Sequence, residues 1–194
     1  MATVEQATAA QGPARLGRIT LPDYEAWIAA GDIEEGAPIE LFEGRIVRKT
    51  TKGREHSRAS INSHQAITRA LLHGWHVGVE TPVRMPASQG LPEPDLSVTR
   101  GRADDYKVRD PGPEDVALVV EIGDTSLVED RRRAAVYLAE GYPLYWVINV
   151  RHRQLEVYRP GTDPKVLAEG EAAELLLDDV VVALIAVADL LPGE

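Results

Sequence analysis

Five consecutive apolar residues, Val116-Ala-Leu-Val-Val120, run directly into Glu121. A strand without polar alternation has to be covered on both faces, so it belongs inside a sheet with a layer on either side. The following residues extend the constraint. Ser126-Leu-Val-Glu129 fits a capping box, and Gly141 stands where a helix stops, which predicts a helix over 127–140. Leu144–Val150 is a second strand candidate, and Gln154–Tyr158 a third, joined to it by a tight polar turn.

The rest of the chain completes an α/β pattern. Pro22–Ala30 reads as a short helix, with Gly31 as its stop. Ile39–Val47 reads as a hairpin turning near Glu43-Gly44. Ile67, Leu71 and Trp75 recur at i, i+4 and i+8, which predicts a helix from His56 to Gly74. Strands are expected at Val77–Met85 and Asp95–Thr99, a polar loop at 100–115, one or two more strands in the tail, and a helical turn near Ala188–Leu191. The expected architecture is a central mixed β-sheet flanked by helices. It forms one domain over 18–194, behind a flexible leader at 1–17 that has no apolar stretch of a secretory signal.

Charge narrows the function and then complicates it. The chain carries 21 Lys and Arg against 31 Asp and Glu, a net charge of −10, which argues against a non-specific binder of nucleic acid or of an anionic membrane. The longest apolar run, Val180–Ala188, is nine residues, whereas a spanning helix needs about 20. No cysteine is present, so thiolate zinc sites and cysteine nucleophiles are excluded. A cytoplasmic protein is expected. Yet Arg45–His76 holds seven Lys and Arg against one acid, Glu55. Contact fields are local at physiological salt, so this segment suits a phosphate-facing surface, with Lys49, Lys52, Arg54 and Arg58 as candidate contacts. It equally suits a solvated surface.

Asp95 opens one strand after Pro94, and Glu121 closes another. A carboxylate at the end of a covered strand is costly unless a cation or a donor meets it. Two on neighbouring strands, with the backbone carbonyl of Ile122, would make an oxygen half-shell for Mg²⁺, with Mn²⁺ as an alternative. The same residues also fit a structural reading, in which Glu121 caps the next helix or pairs with an arginine among 131–133. The histidines at 56, 64, 73 and 76 lack zinc-chelating spacing, and Ser57, Ser60 and Ser63 lack any nucleophile elbow.

Several segments occur in one order: Glu-Leu-Phe-Glu-Gly-Arg-Ile (40–46), His56 at a helix start, Pro94-Asp95, Val-Val-Glu-Ile-Gly-Asp-Thr-Ser (119–126), Asp130-Arg131, and Tyr-Leu-Ala-Glu-Gly-Tyr-Pro-Leu-Tyr-Trp-Val-Ile (137–148). This series resembles the Uma-two family of the PD-(D/E)XK nuclease superfamily over roughly residues 20–191. The resemblance implies a restriction-endonuclease-like fold and a metal-dependent DNA endonuclease, with Asp95 and Glu121 as metal ligands. It adds Glu40 and His56 to the catalytic set. Cutting both strands needs two sites, which points to a two-fold homodimer.

The chain departs from the family at the lysine. The superfamily places it two residues after the glutamate, where this chain has Gly123; the Uma-two branch places it on the next helix, where this chain has Arg133. On a helical wheel Arg131 falls with Leu127, Ala135 and Leu138 on an apolar stripe, and Arg133 falls with Tyr137 on the other side. Arginine supplies charge but is too basic to cycle protons near neutral pH. Asn149 stands where the family has Asp. The alternative function is therefore a catalytically inactive nuclease fold that binds nucleic acid or protein.

Overall fold

The computed structural model describes residues 17–34, 36–123 and 126–193, so the expected leader lies outside the described residues except for Gly17. The expected sheet is present, with six strands. In spatial order these are β3 (Trp75–Val79), β4 (Leu96–Arg100), β5 (Val116–Gly123), β6 (Tyr145–Asn149), β7 (Gln154–Tyr158) and β8 (Lys165–Ala168). Only β5 and β6 run parallel. The connection between them is α3 (Leu127–Glu140), because a parallel pair cannot be closed by a tight turn. All eight residues of β5 are buried, as its apolar run requires.

Strand alternation divides the core between the two faces. Leu118, Val120 and Ile122 of β5, with Trp146 and Ile148 of β6, face α2 (Arg54–Ala70) through Ala59 and Ile67. The hairpin of β9 (Ala172–Leu177) and β10 (Val180–Ala186) covers the same face. Val119, Tyr145 and Val147 point the other way, against Ala134 and Tyr137 of α3 and Phe42. Phe42 ends β1 (Ile39–Phe42), which pairs with β2 (Arg45–Arg48) around the expected Glu43-Gly44 turn, both residues at positive φ. The first helix, α1 (Leu21–Ala30), packs on this hairpin side through Leu21 and Tyr24.

Five local expectations are corrected. The second helix ends at Ala70 and does not reach Gly74, because Leu71 is already extended and Trp75 begins β3. Its apolar spacing continues past the helix because Leu71 and Trp75 pack on the same core from a different backbone. The strand expected over Val77–Met85 stops at Val79, where Glu80 takes a left-handed φ of 49°. The tail holds three strands, and the longest apolar run is mostly β10.

The capping box at Ser126 is not formed. Its hydroxyl donates to Asp130 Oδ2 at 2.7 Å instead of capping the backbone. The buried stripe of α3 is Asp130, Ala134 and Tyr137, not Leu127, Ala135 and Leu138. Ala134 and Tyr137 pack in the core, with Leu127 and Leu138 partly buried beside them, while Asp130 is buried at the site end of the helix.

Tyr137 and Tyr145 are both fully buried, but the Tyr145 hydroxyl donates to the Asp130 carbonyl at 3.0 Å and the Tyr137 hydroxyl has no partner. Tyr145→Phe is expected to cost about 0.5–1.5 kcal/mol in urea unfolding, whereas Tyr137→Phe is expected to be neutral or stabilising, since it removes an unsatisfied buried polar atom.

Candidate active site

The ladder between β4 and β5 sets Leu96 opposite Val120. One step further, that antiparallel register sets Asp95 opposite Glu121, so the two carboxylates are cross-strand neighbours on one face. Both are buried, at 5% and 8% exposure. The Asp95 N–H points at Glu121 Oε2 over 3.4 Å, and the Ile122 N–H donates to Asp95 Oδ2 at 2.7 Å. Val119 N–H and the Gly123 carbonyl both serve the β6 side. Alternation along β5 therefore directs the Ile122 carbonyl toward β4, which begins only at Leu96, and so into the site.

Like charges facing each other across a ladder are unfavourable, and the surrounding cations show how the strain is divided. Asp95 takes most of the help. Burial opposes its ionisation, but the His56 hydrogen bond and charge, then Lys52, outweigh it and hold the carboxyl below the usual range. His56 Nε2 lies 3.0 Å from Oδ2, and Lys52 Nζ donates to Oδ1 at 2.6 Å. Glu121 takes the cost. Burial first, then the Asp95 charge, push it well above the ordinary carboxylate range. Arg133 Nη1 opposes this from 3.8 Å, and Glu121 Oε1 is left without a hydrogen-bond partner.

Arg133, not Arg131, reaches the site. Arg131 is half exposed and binds Glu156 on β7 through two hydrogen bonds. The Arg133 guanidinium is largely buried, donates to Glu40 and stacks on the Phe42 ring at 4.5 Å. Burial works against its charge, but Glu40 and Glu121 more than compensate, so it stays protonated. Glu40 in turn accepts the Glu93 N–H at 3.0 Å, which fastens the β1–β2 hairpin beside the carboxylate pair. The structural expectation for Glu121, pairing with an arginine of 131–133, is thus present as a loose contact within the same cluster.

These groups line a cleft of about 310 Å³ that includes Glu40, Lys49, Lys52, His56, Glu80, Asp95, Glu121, Ile122, Asp130 and Arg133. The four expected phosphate contacts separate here. Lys49 pairs with Glu93 at 2.5 Å and Lys52 with Asp95 and Glu80, both inside the cleft. Arg54 is exposed with no ion pair among the described residues, and Arg58 is tied to Glu55 and the Gly193 carbonyl away from it. Glu80 and Glu93 are partners the sequence did not single out; each is a solitary acid in a loop or strand end with no spacing signal.

Gly123, where the superfamily pattern has a lysine, is closely packed by α3. A Cβ there would lie 2.9 Å from Asp130 Oδ2 and 3.2 Å from Leu127 Cδ1. The first turn of α3 lies over this position, so a side chain here would require the Asp130 carboxylate and the Leu127 side chain to shift.

A mixed sheet that places a buried Asp–Glu pair at adjacent strand ends, under a helix carrying an arginine, defines a restriction-endonuclease-like α/β protein. The family described as Uma2, "Putative restriction endonuclease", matches residues 21–185, and this chain belongs to it. A crystal structure of "a putative nuclease belonging to DUF820" from Anabaena variabilis ATCC 29413 shares the fold, with a TM-score of 0.69 at 20% identity over 89% of this chain and 97% of that one. No curated protein matches the chain. Among the described residues, no helix is long and apolar enough to cross a membrane.

The raised Glu121 carboxyl carries a stability consequence with a definite sign. Below pH 4.5, its ordinary value, the group is protonated in both folded and unfolded states and costs nothing. As pH rises, the unfolded state ionises first and folding loses stability. Glu121→Gln is therefore expected to melt higher than wild type at pH 7, by about 0.5–2 kcal/mol or several degrees, with the gain shrinking toward pH 4 in thermal scans.

Proposed function

We propose that this protein is a metal-dependent DNA endonuclease that hydrolyses phosphodiester bonds. The observation carrying the proposal is the cross-strand Asp95–Glu121 pair, with Glu121 Oε1 buried and without a hydrogen bond among the described residues, Arg133 Nη1 facing it only from 3.8 Å. An orphaned carboxylate oxygen of this kind costs free energy unless a ligand meets it. Asp95, Glu121 and the Ile122 carbonyl form an all-oxygen set of the type that suits Mg²⁺, or Mn²⁺, with water completing the shell. Among the described residues no three His, Cys, Asp or Glu side chains are grouped as metal ligands, so a cation here would depend on the two carboxylates, the Ile122 carbonyl and water. When bound, such an ion polarises the phosphodiester and lowers the pKa of an attacking water.

The chain's own residues have distinct tasks. His56 donates through Nε2 to Asp95 Oδ2 and holds that carboxylate in place, with Ile122 N–H as the second donor. Arg133 neutralises Glu40 and Glu121 together and keeps positive charge beside the place where negative charge develops on the phosphate. Glu40 orients Arg133 and stands next to any water that approaches Glu121. The exposed Arg45, Arg48 and Arg54, which have no ion pairs among the described residues, would meet the DNA backbone. Salt-sensitive binding follows from that electrostatic contact. A two-fold homodimer acting in the cytoplasm would bring two such sites to one duplex.

The test is nicking of supercoiled plasmid by the full chain with Mg²⁺ or Mn²⁺. Wild type is expected to nick and EDTA to stop it, with Asp95→Ala and Glu121→Ala each slowing it at least a hundredfold. Nicking that persists in both variants would overturn the proposal. Salt-sensitive DNA binding without nicking in wild type would favour an inactive nuclease fold acting as a binding module.

A further inference from the structure

Lys52 occupies an unusual position for a lysine from an exposed connection. It lies in the 49–53 segment between β2 and α2, yet its ammonium reaches inward to Asp95 Oδ1 at 2.6 Å while its side chain remains one-third exposed. A second carboxylate, Glu80 Oε1, holds the same nitrogen at 2.8 Å from the outer side. One cation thus bridges a buried carboxylate and a surface one.

The other two partners near the pair, Arg133 and His56, are held in place. Arg133 is buried between Glu40 and Glu121, and the His56 ring is buried with only Nε2 engaged. Lys52 differs in its flexible four-carbon stem and in having somewhere else to bind. Glu80, by contrast, is anchored. Its N–H bonds the Asp95 carbonyl at 3.2 Å, and its φ of 49° is one that a non-glycine residue adopts only when its surroundings impose it.

We propose that Lys52 is the displaceable counter-ion of this site: it neutralises Asp95 when no divalent cation is bound, and on displacement it stays at the cleft mouth on Glu80, where its ammonium contacts a phosphate oxygen of the substrate. This deepens the nuclease reading by assigning the substrate-side cation to the β2–α2 connection. It gives Lys52 two separable effects. Lys52 competes with a divalent cation for Asp95, so removing it strengthens cation binding. It also contacts the substrate anion, so removing it weakens turnover.

The experiment measures Mn²⁺ binding to the DNA-free full chain by electron paramagnetic resonance, and single-turnover plasmid nicking, for wild type, Lys52→Met and Lys52→Arg. Lys52→Met is expected to bind Mn²⁺ roughly three- to tenfold more tightly, as loss of one partly screened charge contact predicts. The same variant is expected to nick about a hundredfold more slowly at saturating Mn²⁺. Lys52→Arg, which keeps the charge, is expected to lie nearer wild type in both. Circular dichroism checks that the fold is kept. Weaker Mn²⁺ binding in Lys52→Met would overturn the proposal by making Lys52 a mere support of Asp95, and so would affinity and nicking both equal to wild type. If wild type binds Mn²⁺ but never nicks, the nuclease reading fails and the substrate contact with it, whereas the Mn²⁺ affinities still decide whether Lys52 is the counter-ion.

Discussion

Two carboxylates face each other across an antiparallel ladder, and most of the site is a response to that. Asp95 and Glu121 are brought together by register, not by their own attraction, and burial deprives both of water. A cross-strand pair of like charges in such a place costs stability unless it is neutralised. The protein neutralises it unevenly. His56, Lys52 and the Ile122 N–H serve Asp95, and Glu121 is left with Arg133 at 3.8 Å and an oxygen, Oε1, without a hydrogen bond among the described residues.

That imbalance organises the elements around the sheet. The first turn of α2 brings His56, the connection before it brings Lys52, and α3 brings Arg133. The β1–β2 hairpin supplies Glu40 to hold that arginine. The hydrophobic faces of the sheet fix where these elements lie, through Ala59 and Ile67 on one side and Ala134, Tyr137 and Phe42 on the other. Packing therefore provides the stability that the carboxylate pair consumes, and a residual demand for positive charge is kept at one end of the strands. That is the arrangement expected of a site built to receive a cation and an anionic substrate.

Part of the chain's acidic excess lies at this cleft. Acids outnumber bases overall, but Glu40, Glu80, Glu93, Asp95 and Glu121 line one cleft, where Lys49, Lys52 and Arg133 answer them. The basic 45–76 segment is only partly a surface. Some of its charge is turned inward, and the outward remainder on β2 and at the start of α2 is what a phosphate backbone would meet.

Much of the fold was legible because it rests on local signals. The apolar run at 116–120 required a covered central strand, and Gly141 stopped α3 where expected. The order of Pro94-Asp95 and Glu121-Ile122 located the two carboxylates. What the sequence could not show was which cation reaches them. A wheel placed Arg131 on the buried stripe of α3, but the buried residues are Asp130, Ala134 and Tyr137, and Arg133 is the residue that enters the site. Lys52 read as one of several surface cations because its partner Asp95 lies 43 positions away. Glu80 had no signature at all, since its role depends on a backbone turn after β3. The central strand and the Gly141 helix stop follow from near-neighbour patterning that the chain carries locally, and the acid pair was singled out by the resemblance of the ordered motifs. The choice of counter-ion is a competition between side chains distant in sequence, and only the packed structure, which sets their distances, decides it.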